Sequence, residues 1–178
     1  MGKISSVQSR ISPPTTLSVV VPYFNEESVL CEFHARLTRV LDTLSDTSEI
    51  VYVNDGSTDN SQSLVESFSS HTSLIKSIAL SRNFGKESAL SAGLAHSSGL
   101  AVIAIDADLQ DPPELIPAML TKWREGFDVV NMQRSERLGE SWLKKKSAAV
   151  FYSLLNLMSQ TDIPENVGDF RLIAREVV

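Results

Sequence analysis

Three carboxylates, Asp106, Asp108 and Asp111, fall within six residues directly after the apolar run Leu100–Ile105, and Pro112 and Pro113 follow at once. An unbroken apolar run of this length suits a strand buried on both faces of a parallel sheet. The prolines end it, which leaves Asp106 and Asp108 at the carboxyl end of the strand, where open α/β sheets bind their ligands. Two carboxylates one residue apart suit a hard divalent cation, since Mg²⁺ commonly takes one or two carboxylates together with substrate phosphates. The segment therefore reads as a metal–diphosphate site. Taken alone, Asp-x-Asp reads better as a solvated acidic turn, because such tripeptides are common by chance and Asp and Pro are ordinary turn formers.

The elements that must position these residues alternate regularly. Strands are expected at Leu17–Val21, Ile50–Val53, Leu74–Leu80, Leu100–Ile105 and Phe127–Met132. Between them lie helices over Glu26–Leu44, from a Thr58 or Asp59 cap to Ser69, over Gly85–His96, and over Pro113–Glu125 with proline in the first turn. Such alternation implies βαβ units, a mainly parallel sheet and right-handed crossovers. Gly168–Arg175 reads as a last short strand, and 140–159 as an amphipathic helix mixing Trp142, Phe151 and leucines with Lys144, Lys145 and Lys146. A plain packing helix fits that pattern, and so does one lying on an anionic membrane surface.

Each early strand end is polar: Pro22-Tyr23-Phe24-Asn25-Glu26, Asn54-Asp55-Gly56-Ser57, Ser81-Arg82-Asn83-Phe84-Gly85-Lys86, and the Asp106/Asp108 segment. Parallel strands bring such ends to one edge, so the four loops are expected to converge on one crevice, read here as a nucleotide site. The first strand lacks a Gly-x-Gly-x-x-Gly turn, which argues against a dinucleotide fold. Gly85-Lys86 lacks the frame of a phosphate loop, and there is no serine-hydrolase elbow. His34, His71 and His96 are scattered along the chain and are expected on helix surfaces, with no zinc cluster.

The bulk numbers set the frame. At 178 residues, with 42% hydrophobic and 21% charged residues, the chain fits one domain with a real core. Its net charge of −6 argues against a nucleic-acid binder. Residues 134–146 are nonetheless basic, with Arg134, Arg137, Lys144, Lys145 and Lys146 against Glu136 and Glu140. Cys31 is the sole cysteine, which excludes an internal disulfide and fits a reducing compartment; it is expected to be a small buried helical residue. Residues 1–16 read as a flexible leader and 17–178 as the domain, with no window apolar enough to span a bilayer.

Three longer strings carry a resemblance: Ser81-Arg82-Asn83-Phe84-Gly85-Lys86-Glu87, Ile105-Asp106-Ala107-Asp108-Leu109-Gln110-Asp111-Pro112-Pro113-Glu114-Leu115, and Gly168-Asp169-Phe170-Arg171-Leu172. With them, and over about Leu17–Val178, the chain resembles the family 2 glycosyltransferases of the GT-A fold. Within that family it is most similar to the polyprenyl-phosphate group, which includes dolichol-phosphate mannosyltransferases and bacterial undecaprenyl-phosphate (bactoprenol) glucosyltransferases. The resemblance implies a three-layer α/β/α nucleotide-diphospho-sugar transferase fold with a mainly parallel sheet. It implies that Pro22, Tyr23, Asn25 and Glu26 form the first nucleotide loop, and that Val53 and Asp55 hold base and ribose. Asp106, Ala107, Asp108 and Gln110 would bind the diphosphate and a Mg²⁺ or Mn²⁺ ion, with Asp106, Asp108 and Gln110 at the metal. Arg134, Lys144 and Lys145 would receive the acceptor phosphate, and Asp169 and Arg171 would close over sugar and acceptor.

The implied activity is inverting transfer of a hexose, glucose from UDP-glucose before mannose from GDP-mannose, onto undecaprenyl phosphate at the cytoplasmic face of a bacterial membrane. The alternatives are a transferase for a soluble or cell-wall glycan, or a nucleotide-binding module without activity. Full members carry further sequence with transmembrane helices, so the chain is expected to be a C-terminally truncated form, soluble or peripheral, with homo-oligomerisation left open.

Overall fold

Seven consecutive buried residues, Leu17–Tyr23, form strand β1 at the centre of the sheet in a computed structural model that describes residues 16–69, 74–133 and 167–178. Burial on both faces is why this segment is almost wholly apolar: Leu17, Val19 and Val21 face one core and Val20 the other. Helix α1 (Leu30–Leu41) leads to β2 (Ser48–Asn54), α2 (Ser61–Ser69), β3 (Ile75–Ala79), α3 (Lys86–His96) and β4 (Ala101–Ala104). A 3₁₀ turn at Pro113–Leu115 runs into α4 (Ile116–Arg124), then come β5 (Val129–Gln133) and β6 (Val167–Ala174). The helix expected over Pro113–Glu125 thus starts as a tighter turn, with proline at its first position.

The six strands are ordered β3-β2-β1-β4-β6-β5. Pairings β1–β2, β1–β4 and β2–β3 are parallel, whereas β6 runs antiparallel to both β4 and β5. The expected last strand is therefore present, but it is inserted between the fourth and fifth. Leu30, Phe33 and Leu37 of α1, Val65 of α2 and Ile116, Met119 and Leu120 of α4 pack on one face. On the other, Ala89 and Leu90 of α3 pack against Val20, Val51, Val53 and Val102. The fold is three-layered α/β/α. Helix α3 lies so close that a Cβ on Gly93 would sit 2.3 Å from Val20 Cγ1, so only glycine fits there.

Helix α1 begins at Leu30, four residues after the expected Glu26, because Asn25 takes φ 55° and the Glu26 and Glu27 amides are bound elsewhere. Its buried stripe is Leu30, Phe33, Leu37, Val40 and Leu41, which leaves Cys31 exposed rather than buried. His34, expected on the helix surface, is half-buried: its ring stacks on Phe68 at 4.0 Å and its Nδ1 lies 3.0 Å from the Tyr52 hydroxyl. Burial lowers its pKa.

At the amino-terminal edge of the sheet, a buried carboxylate joins three elements. Glu49 Oε1 accepts from Ser18 Oγ (2.6 Å) and from the Ser98 amide (2.6 Å), and Oε2 pairs with Lys76 Nζ at 2.7 Å. Burial pushes the Glu49 carboxyl up, but Lys76, Ser18 and Ser98 together hold it below the ordinary carboxylate range. A depressed carboxylate contributes stability above its unfolded pKa and loses it as pH falls through the folded value. Urea unfolding followed across pH should therefore show wild type losing stability on acidification below about pH 4–5, with Glu49→Ala lacking most of that slope. At neutral pH the same substitution, which takes the buried acceptor from the Ser18 and Ser98 donors and the carboxylate from Lys76, should cost about 1–3 kcal/mol.

Candidate functional site

The strand order reverses beside β1, where β2 continues the sheet on one side and β4 on the other. Ligands in open α/β sheets bind at such a switch point, outside the carboxyl ends of the strands. A cavity of about 320 Å³ lies there. Pro22, Tyr23, Phe24 and Glu26 enter it from β1, Asp55 from β2, Asn83, Gly85, Lys86 and Ala89 from the β3–α3 region, and Asp106, Ala107 and Asp108 from β4. All four polar strand ends singled out in the sequence meet in it.

Local hydrogen bonds explain why the loops stand where they do. The first two loops are laced together: the amides of Asn25, Glu26 and Glu27 donate to Ser57 Oγ, Ser61 Oγ and Asp59 Oδ2, and Asn25 Oδ1 accepts from the Thr58 amide. Asp59 also accepts from the Ser61 amide at 3.0 Å and so starts α2. The second and third loops are joined by Asp55, whose carboxylate accepts from the amides of Phe84 (2.8 Å) and Gly85 (3.0 Å). Gly56 makes that junction feasible. It takes φ 73°, and a Cβ on it would lie 2.4 Å from the carbonyl carbon of Arg82.

Asp106 and Asp108 carry the electrostatics. Between them and Pro112, Leu109 adopts φ 63°, and the Gln110 amide donates to Asp108 Oδ1 at 3.0 Å. Lys86 Nζ donates to Asp106 Oδ2 (2.5 Å) and to Asp169 Oδ2, so one ammonium ties the end of β4 to β6. Arg171, which pairs in register with Ala104, approaches Asp169 Oδ1 at 3.4 Å. Burial raises the Asp106 pKa, and although Lys86 opposes this, the Asp108 and Asp169 charges add to it. Burial, then Asp108, Asp59 and Asp106, likewise raise Glu26. Among the described residues no three ligating side chains already form a closed metal cage. Asp106 and Asp108 do offer hard oxygen donors at the cavity wall, in surroundings of excess negative charge. That donor set fits a Mg²⁺ or Mn²⁺ ion that completes its shell with phosphate oxygens.

The structure thus gathers Pro22, Tyr23, Glu26, Asp55, Asp106, Ala107 and Asp108 around the cavity, with Asp169 joined to Asp106 through Lys86. Other expected residues stand apart. Val53 is fully buried beneath α3, so its side chain belongs to the core. Gln110 is exposed and outside the cavity wall, and only its amide engages the turn. Tyr23 sends its hydroxyl to Gln62 Oε1 on α2 at 3.0 Å, away from a polar role in the cavity. Asn25 builds the loop rather than lining the cavity. Arg134, Lys144, Lys145 and the 140–159 helix lie outside the described residues, as does the 1–15 part of the leader. Lys86 is the residue sequence reasoning missed. Its loop is one of the four expected at the crevice, but the sequence reading gives Lys86 itself no role there; its place as the first residue of α3 puts its ammonium at the cavity.

Comparison with known proteins agrees with this geometry. The sequence profile "Glycosyl transferase family 2" matches residues 18–178. An uncharacterised glycosyltransferase of Synechocystis is 52% identical over 163 residues, covering 91% of this chain and 51% of its own length. A bactoprenol glucosyl transferase of Shigella phage SfV is 47% identical over 162 residues, covering 91% of this chain and 52% of its own. The chain thus spans about half the length of these relatives. Among solved structures, glucosyl-3-phosphoglycerate synthase from Mycobacterium tuberculosis with Mn²⁺, UDP-glucose and phosphoglyceric acid aligns with a TM-score of 0.63. That alignment is at 22% identity and covers 91% of this chain and 57% of the other.

Gly56→Ala should force the Arg82–Asn83 backbone away and release the Asp55 clasp. Thermal unfolding should then fall by several degrees, the effect of about 1–3 kcal/mol of strain.

Proposed function

The chain belongs to glycosyl transferase family 2 and has the GT-A fold, and from that premise we propose that it moves glucose from UDP-glucose to a polyprenyl phosphate with the help of a divalent cation. The observation that carries the reading is the convergence of Glu26, Asp55, Asp106 and Asp108 with Lys86 in one cavity at the switch point. The phage relative is named for glucosyl transfer to bactoprenol, which supports the acceptor class. The mycobacterial structure, a fold relative, contains Mn²⁺ and UDP-glucose, which supports the donor and the type of ion.

The residues fit the steps of such a transfer. As the sugar leaves, negative charge gathers on the diphosphate; Asp106 and Asp108 would hold a divalent cation there, which would supply Lewis-acid stabilisation. Asp55 and the β1 loop form the wall for the nucleoside. Asp169 and Arg171, on β6 beside β4, stand where a sugar hydroxyl or the acceptor can be oriented. A polyprenyl monophosphate is already anionic near neutral pH, so Arg134, Lys144 and Lys145 serve it by positioning rather than by removing a proton. In-line attack inverts the anomeric carbon. The site of action is the membrane surface where such an acceptor resides, and no helix among the described residues is long and apolar enough to cross it.

Purified chain with undecaprenyl phosphate and Mn²⁺, offered UDP-glucose and GDP-mannose in parallel, should transfer glucose; transfer from GDP-mannose alone would overturn the donor. In the same assay, Lys144→Glu with Lys145→Glu should abolish transfer while leaving UDP affinity unchanged. For the site itself, Asp106→Asn and Asp108→Asn should each remove most of the Mn²⁺-dependent gain in UDP affinity, a loss on the order of 10–100-fold. Because Asp106 and Glu26 hold protons above the ordinary carboxylate range, that gain should fade on acidification at a pH above that range. A gain that persists in both Asn variants would remove the metal from the proposal.

A further inference from the structure

We propose that Lys86 is an internal counter-cation that closes the gap between Asp106 and Asp169 before loading, and that a divalent cation binds Asp106 most strongly when this ammonium moves onto the diphosphate of the incoming nucleotide. The inference rests on the nucleotide–cation reading above and assigns to Lys86 the coupling between the two ligands.

Three features of the site carry it. First, the ammonium occupies the oxygen a cation would need. Lys86 Nζ sits on Asp106 Oδ2 and on Asp169 Oδ2 at once, and a dication on the same carboxylate oxygen would be a like charge at contact distance. Second, the side chain has somewhere to go. Lys86 is the first residue of α3, its side chain is 38% exposed, and it lines the same cavity as Asp106 and Asp108. The backbone before it is anchored by Asp55, which accepts from the Gly85 amide, so the long lysine side chain swings about a fixed root. Third, the charge balance fixes its destination. Among the described residues that line the cavity, Lys86 is the one cation against Glu26, Asp55, Asp106 and Asp108. Once a dication neutralises Asp106 and Asp108, Asp169 still holds the ammonium, and the ligand's own diphosphate becomes the strongest new anion within the cavity to draw it away. Exchange of partners in this way makes nucleotide and cation each raise the other's affinity, as linkage requires.

The test titrates the 178-residue chain with Mn²⁺ alone, with UDP alone and with both, in wild type, Lys86→Met and Lys86→Arg, reading Mn²⁺ by electron paramagnetic resonance and UDP by calorimetry. Lys86→Met should bind Mn²⁺ alone roughly tenfold more tightly than wild type, as expected if the ammonium-held state is about nine-tenths of the unloaded population. Its mutual strengthening between UDP and Mn²⁺ should shrink, and Lys86→Arg, which keeps the charge, should stay near wild type. A merely structural lysine predicts the opposite sign, since a loosened site binds Mn²⁺ less well. If circular dichroism shows Lys86→Met unfolded, Lys86→Gln is judged by the same criterion. Mn²⁺ affinity unchanged or weakened in the folded neutral variant overturns the inference while leaving the metal-assisted reading intact. Absence of Mn²⁺ binding by wild type even with UDP overturns that reading and this inference with it.

Discussion

A single buried carboxylate, Asp55, fixes the geometry on which the crevice depends. It is 4% exposed, and a carboxylate so placed must find donors or lose its charge. The donors are the Phe84 and Gly85 amides of the β3–α3 loop, while the Asp55 amide itself donates to the Tyr23 carbonyl at 2.9 Å. Three consecutive strand ends are thereby held to one another by one residue. The arrangement demands glycine at position 56, where the two loops touch, and it determines where α3 begins. Lys86 is the first residue of that helix, so the position of the ammonium between Asp106 and Asp169 follows from a residue on a different strand.

The strand alternation was legible because β1, β2 and β4 are buried on both faces, which leaves continuous apolar runs that stop sharply at polar residues. The place of β6 was not. Periodicity marks Val167–Ala174 as a strand but carries no direction, and what sets it between β4 and β5 is the pairing of Ala104 with Arg171 and of Asn131 with Arg171 across the sheet. The start of α1 was misplaced for a tertiary reason: Ser61 and Asp59, far along the chain, take the amides of Glu26 and Glu27 and hold them in a turn. Cys31 is a different kind of miss. It lies off the Leu30, Phe33, Leu37, Leu41 stripe, so helical spacing alone would have put it in solvent.

The site divides along the same line. Asp106, Asp108, Asp55 and Glu26 could be read because each sits at a strand end, and parallel strands bring their ends together. Val53 could not be separated from Asp55 on sequence grounds; Val53 lies inside β2 and is spent on packing against α3, whereas Asp55 lies one residue past the strand end and lines the cavity. Lys86 lies in a matched string, but its pairing was not legible there because its partners are 20 and 83 residues away. Only the sheet order brings Asp106 and Asp169 within reach of one ammonium.

The two ends of the sheet treat buried acid in opposite ways, and the contrast bears on function. At the amino-terminal edge Glu49 is met by Lys76, Ser18 and Ser98, and its carboxyl is held below the ordinary range in spite of burial. At the carboxyl edge Asp106 has Lys86, yet it stays above its ordinary range, and Glu26 shares that direction. A network built only for stability would approach the first condition, because every uncompensated ionised group costs folding free energy. Negative charge left uncompensated in a cavity of small-ligand size is tolerated in a fold whose core lies elsewhere, in the layers on either side of β1 and β4. It lowers the free energy of any cation that arrives with its own phosphate ligands. On the proposal above, the surplus works as stored affinity for the pair of ligands rather than for either alone, since a bare nucleotide would meet repulsion from Asp106, Asp108 and Glu26 and a bare dication would meet Lys86.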